Sequence, residues 1–270
     1  MRIGDDDGVN DLPVITAGTM RVEVDPKAGG RIAQITVGGT PLLVAREDVG
    51  GDPLAWGAYP MVPWAGRIRA GRFEFRGSTY ELPRNHGGHA MHGVGFTSTW
   101  VVVADTPTRI DLCLDLPRNT TWPFGGRVLQ VYEVDDDALT GTMVVSADDR
   151  AFPVSFGWHP WFRKPSRFDF APTAMYRRDD AHIAVAELVD VPAGPWDDCF
   201  VNHEPIGMEI DGVDVTLTSP CTDWVVYDEP SHATCVEPQT GPPDAFTIRP
   251  EIIEPGTPRS ATFRLEVGAT

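Results

Sequence analysis

The amino-acid sequence predicts an all-β protein, an antiparallel sandwich or barrel. Three observations carry that reading. Short runs of alternating apolar and polar residues recur along the chain, many at intervals of about ten residues. Gly, Pro and Asp punctuate them as turns. Helical periodicity is almost absent. The 27 Gly and 25 Pro in 270 residues supply the turns. So much Gly and Pro would also fit a disordered chain. The eight Trp and twelve Phe argue against that, since disordered chains lack aromatics.

Taken in order, MRVEV (20–24) and RIAQITV (31–37) alternate, and GGT turns the chain into PLLVA. RFEFRG (72–77) alternates before STYEL. WVVVA (100–104), RIDLCLDL (109–116), RVLQVYEV (127–134) and LTGTMVVSA (139–147) follow as strands. VDVTLT (213–218), WVVYD (224–228), AFTIRPEII (245–253) and ATFRLEV (261–267) complete the set. The segment PSRFDFAPTAMYRR (165–178) reads as an irregular packed loop, and DDAHIAVAEL (179–188) as the one helix. No linker or fixed-period repeat divides the chain. We therefore expect one domain over residues 13–270, preceded by a mobile segment, 1–12.

Composition narrows the function. A net charge of −17 repels nucleic acid and anionic membranes. The acidic start MRIGDDDGVNDLP is not a signal peptide, and no later run is long enough to span a bilayer. The expectation is a soluble cytoplasmic protein with reduced thiols, a monomer or homodimer. Cys113, Cys199, Cys221 and Cys235 are scattered with no CxxC pair, which disfavours zinc-ribbon and thioredoxin-type sites. Each reads as a small buried hydrophobe.

The chemistry-bearing residues lie in a few Gly- and aromatic-rich segments. NHGGHAMHGVG (85–95) places His86, His89 and His92 three apart. Three such histidines could supply zinc ligands. On a strand, however, this spacing alternates faces, and the flanking glycines disfavour a helix. His86 and His89 read as loop residues. His92, in MHGVGF, has small neighbours that leave room for a ligand. His159 sits in FPVSFGWHPWF and Glu237 in CVEPQTGPPDAF. Arg67, between Gly66 and Ile68, can aim a fork of donors at hydroxyls or carboxylates, or simply bridge a turn. WDDCF (196–200) offers paired acids, Asp197 and Asp198, which could equally be turn formers.

These motifs together resemble the aldose 1-epimerases, the galactose mutarotase-like family. GRIAQITVGGTPLL, PWAGRIRAGRFEFRGSTYEL, MHGVGF, PVSFGWHPWF, WDDCF and VEPQTGPPDAF occur in the family's order, from about residue 29 to 246. The resemblance implies a large twisted antiparallel β-sandwich with an open concave cleft. It also implies interconversion of the α and β anomers of a free sugar. By motif, Glu237 corresponds to the general base and His159 to the general acid. His92, Arg67 and Asp197 correspond to substrate-binding residues, with Asp198 adjacent to the last. Trp64, Trp158 and Trp161 are possible platforms for a pyranose, at least one of them belonging instead to the core. No cofactor and no metal is implied, and the chain carries no P-loop or dinucleotide fingerprint.

Three departures from the family pattern surround the sugar: Gly66 where Asn is common, HPWF for HPYF, and DDCF in the acidic loop. Three other functions compete. A sugar-phosphate epimerase would need a basic cluster, for which Arg69, Arg72 and Arg84 are available. A non-catalytic sugar-binding protein on the same fold would need neither Glu237 nor His159 specifically. A metal hydrolase would use the histidine loop.

Overall fold

The computed structural model describes residues 12–268. The segment expected to be mobile lies, except for Leu12, outside the described residues. No helix among them is long and apolar enough to cross a membrane.

Two large antiparallel sheets dominate. The first has eleven strands. Its spatial order is Val14–Ala17, Met20–Asp25, Arg31–Val37, Ala58–Met61, Gly157–Arg163, Ala233–Gln239, Asp223–Tyr227, Asp197–Val201, Ala174–Arg178 and Ala184–Val189. Thr40–Pro41 pairs onto Arg31–Val37 as the eleventh. The second has eight strands: Val101–Thr106, Arg109–Asp115, Arg127–Val134, Ala138–Ser146, Arg259–Val267, Val213–Thr218, Ile206–Ile210 and Arg167–Asp169. This is the predicted sandwich.

The alternation in the sequence explains the packing. Leu112, Val128, Met143 and Leu265 from the eight-stranded sheet meet Val22, Ile32, Trp158 and Val236 from the other in one continuous core. Each such side chain contributes about 1.5–3 kcal/mol on burial. The core includes one polar link. Gln130 donates to the Gly30 carbonyl at 2.7 Å and accepts the Trp158 indole N–H at 3.1 Å. A buried Trp is thereby satisfied.

Three sequence expectations need correction. Residues 165–178 are not wholly irregular, because Arg167–Asp169 pairs with Ile206–Ile210 and Ala174–Arg178 with Asp197–Val201. Residues 179–188 are not a helix. Asp179 turns the chain by accepting the Ala181 and Ile183 amides on its carboxylate, and Ala184–Val189 then pairs back onto Ala174–Arg178. Only Ile183 and Ala184 in that segment are buried, so a helix would have no apolar face to cover. Residues 245–253 are not one strand. Ala245–Ile248 forms a helical turn that seats Phe246 against Phe73, and Pro250 separates it from the strand Glu251–Ile253.

Candidate active site

Strand register gathers the site from distant parts of the chain. Tyr59 lies opposite His159. Gly157 pairs with Gln239 and Trp161 with Cys235, so His159 lies against Glu237. Glu237 pairs with Val225, and Val225 with Cys199. One row therefore crosses five strands. The next row runs Trp161, Cys235, Tyr227, Asp197. Side chains two apart on a strand share a face, so both rows look away from the inter-sheet core. They floor a cleft of about 260 Å³. That is slightly below the roughly 300–1,000 Å³ of drug-sized pockets and suits one small polar molecule.

At its centre, His159 Nε2 is 3.1 Å from Glu237 Oε1. Both residues are buried, 6% and 2% exposed. Gln239 Nε2 donates to Glu237 Oε2 at 3.0 Å and fixes the carboxyl. The Tyr59 and Trp161 rings stack on the imidazole, with centroids 4.7 and 5.5 Å away.

Burial opposes charge on both partners. It drives Glu237 well above the usual carboxylate range, reinforced by the negative Asp197 and opposed by Gln239 and Arg67. It drives His159 down to about 3. Together these leave the pair uncharged, its single shared proton resting on the carboxyl and one transfer across the 3.1 Å contact away from Nε2.

His92 meets His159 edge-on, with ring centroids 5.2 Å apart at 89°. Its backbone is left-handed, φ 61°, and its amide donates to the Gly66 carbonyl at 3.0 Å. The following Gly93 lies so close to the Val62 carbonyl that a Cβ there would sit 2.0 Å from the oxygen. This tight crossing holds the His92 ring over the cleft. Burial, then His159 and Arg67, keep His92 neutral, well below the ordinary histidine range. Its Nδ1 is buried without a protein partner. Arg67 pairs with Met91 in a two-stranded ribbon, which sets it beside His92 in the cleft wall.

The acids divide by alternation. Asp197 occupies the row that faces Glu237, and it is the acid whose charge reaches that carboxyl. Arg178 ties both acids together. Its Nε is 2.7 Å from Asp198 Oδ1, while Nη1 donates to the Asp197 carbonyl at 2.7 Å and to Oδ2 at 3.4 Å. Burial raises both carboxyls and Arg178 opposes it.

The five expected residues thus line one cleft. Of the three Trp platforms, only Trp161 does so. Trp158 belongs to the core, and Trp64 packs against Trp122. His86 reaches the cleft, and His86 and His89 exchange backbone hydrogen bonds across the Gly87–Gly88 turn. His89 Nδ1 accepts the Ala70 amide at 3.0 Å. The three histidines do not converge on one point. Tyr59, Gln239 and Arg178 were not anticipated. Gln239 was within reach, since i and i+2 on a strand share a face. Tyr59 and Arg178 join the site through long-range pairing that leaves no local trace.

The chain is similar to proteins of one family. The aldose 1-epimerase profile matches residues 12–257. YihR, an uncharacterised protein of Escherichia coli K12, is 26% identical over 279 aligned residues, covering 88% of this chain and 87% of its own. A galactose mutarotase-like protein from Clostridium acetobutylicum superposes with a TM-score of 0.82 at 17% identity, over 95% of each chain. Galactose 1-epimerase from Lactobacillus acidophilus gives 0.79 at 16% identity, over 99% of this chain and 97% of its own. Structural likeness at such identities speaks to the fold. The profile match goes further, because it spans most of the sequence: the chain belongs to the aldose 1-epimerase family.

Proposed function

We propose that the protein interconverts the α and β anomers of a free aldose. The observation that carries this reading is the buried His159–Glu237 contact, 3.1 Å long, on the floor of a small cleft lined by both charged and apolar side chains. Ring opening removes a proton from the C1 hydroxyl and delivers one to the ring oxygen. A carboxylate and an imidazolium can do both, and each recovers its starting state on ring closure. The reactive form carries the pair's proton on His159 Nε2. Glu237 takes the C1 hydroxyl proton as the C1–O bond of the ring breaks, and His159 protonates the departing ring oxygen. The open-chain aldehyde turns about C1–C2. Attack on the other carbonyl face then returns both protons.

The remaining residues serve binding. Arg67 donates to sugar hydroxyls, Asp197 accepts from them, and His92 in the cleft lining offers a further contact. Trp161 supplies an apolar surface for the pyranose. Gln239 holds Glu237 in orientation.

The cleft lining disfavours a phosphorylated sugar. Its cations are Arg67 and Arg178, against the carboxyl groups of Asp197, Asp198, Glu229 and Glu237. Arg69, Arg72 and Arg84 do not line it, and Arg69 is occupied by Asp179 at 2.7 Å and Asp244 at 3.6 Å. Anomer exchange measured by NMR on glucose, galactose, xylose and arabinose tests the proposal. Acceleration by wild type that Glu237→Gln abolishes is the expected result. No acceleration of any free aldose overturns it.

A further inference from the structure

One buried nucleophile beside the acid–base pair has no part in the mechanism. Cys235 lies two residues before Glu237 on the same strand, so both side chains point to the same face. Its thiol is wholly buried. Among the described residues, one group of three side chains could hold a metal ion: His159, Cys235 and Glu237. Their ligand atoms all lie within 4.8 Å of one another, and the nitrogen–oxygen edge is already 3.1 Å. Tetrahedral zinc bonds of about 2.0–2.3 Å to nitrogen, oxygen and sulfur set such atoms roughly 3.3–3.7 Å apart, so the nitrogen–oxygen edge nearly fits already and the sulfur edges must close by up to about 1.5 Å on binding.

We propose that the His159–Cys235–Glu237 triad is an inhibitory site for a borderline-soft divalent cation such as Zn²⁺, which competes with the sugar. The donor set is one imidazole nitrogen, one thiolate and one carboxylate, the mixture zinc accepts. His159 and Glu237 line the cleft above the buried Cys235, and the cleft side leaves a fourth position for water. Coordination releases the thiol proton and the proton shared by the pair. A dication thus replaces two protons and the buried site keeps zero net charge. Asp197, in the neighbouring row, adds a negative field that favours a cation.

The surroundings mark the site as reversible rather than resident. A zinc-binding histidine usually donates its other ring nitrogen to a fixed acceptor. His159 Nδ1 is buried with no such partner. The ion also consumes both groups proposed to move protons, so occupancy and turnover exclude each other.

This inference takes its inhibitory sense from the proposed function, whereas metal binding is read without it. Calorimetric titration of the full chain with ZnCl₂ is expected to show one ion per chain. Titration with CdCl₂ is expected to give the ultraviolet thiolate-to-cadmium charge-transfer band. Cys235→Ala is expected to weaken zinc binding by more than about tenfold and to abolish the band. Cys235→Ser provides the same test if the alanine variant folds poorly. Saturating aldose is expected to raise the apparent zinc Kd. Unchanged zinc affinity in both variants, or a cadmium band that survives them, overturns the site. Zinc binding that depends on Cys235 in a protein inert toward every aldose retains the site and rejects the proposed reaction.

Discussion

The strands Ala233–Gln239 and Arg259–Val267 sit in different sheets and obey different rules. Arg259–Val267 alternates as its sequence promises: Ala261, Phe263 and Leu265 are buried, while Arg264 and Glu266 lie outside. Ala233–Gln239 is buried along its whole length. Val236 enters the inter-sheet core, whereas Glu237 and Gln239 are enclosed by the cleft. A buried carboxyl opposes stability unless something compensates it. The compensation here is His159 and Gln239. The lesson is that chemistry resides where a strand departs from the alternating pattern that otherwise builds the fold.

Five substitutions or conditions can break or sharpen this contrast. Glu237→Gln is expected to cut anomer exchange about 10²–10⁴-fold. Its Tm at pH 7 should hold or rise, because Gln resembles the protonated carboxyl. A marked fall in Tm would show that the folded state relies on a charged carboxylate. Leu265→Ala should do the converse. It costs about 2–5 kcal/mol, a Tm loss of about 4–20 °C for a chain of this size, with exchange per folded molecule retained.

The acid limb of stability comes next. His159 in the folded protein takes up its proton only near pH 3, whereas its unfolded counterpart does so near 6.5. A depressed folded value means stability that is full above pH 6.5 and drains away as pH falls toward 3. Wild-type Tm should therefore drop more steeply across that interval than the Tm of His159→Gln. Parallel profiles would refute the buried neutral imidazole. Gln239→Leu should lower kcat by about fivefold, corresponding to about 1 kcal/mol for one orienting hydrogen bond, and leave KM nearly unchanged. Arg264→Ala marks the lower end. Its ion pairs with Glu266 and Asp135 are exposed, 3.0 and 3.1 Å long. Stability should change by less than about 1 kcal/mol, as chemical denaturation would show.

Much of this was legible in the sequence, and the reasons differ by level. Strands such as Arg127–Val134 and Arg259–Val267 carry alternation that only a half-buried strand satisfies. The 179–188 segment misled because Ala, Glu and Leu are good helix formers, and hairpin pairing overrode their propensity. The 245–253 segment misled because its apolar residues fill two separate places. At the site, Glu237 and His159 stood out through their flanking motifs. Arg178 could not, because the acids it meets arrive from another strand. Asp197 and Asp198 became distinguishable only when the register set Asp197 opposite Tyr227, in the row beside Glu237, and Asp198 opposite Val226.

The register row from Tyr59 to Cys199 carries a consequence for how this protein comes into being. Of its five strands only Asp223–Tyr227 and Ala233–Gln239 are consecutive in sequence, and no hairpin contains more than one side of the His159–Glu237 contact. Contacts between distant stretches close late and slowly. A nascent or refolding chain can therefore own most of its secondary structure and still be chemically silent. Regain of turnover after dilution from denaturant would time the last closure of the sheet, and no half of the chain should carry a trace of it, because Tyr59, Arg67 and His92 come from the first half and His159 and Glu237 from the second.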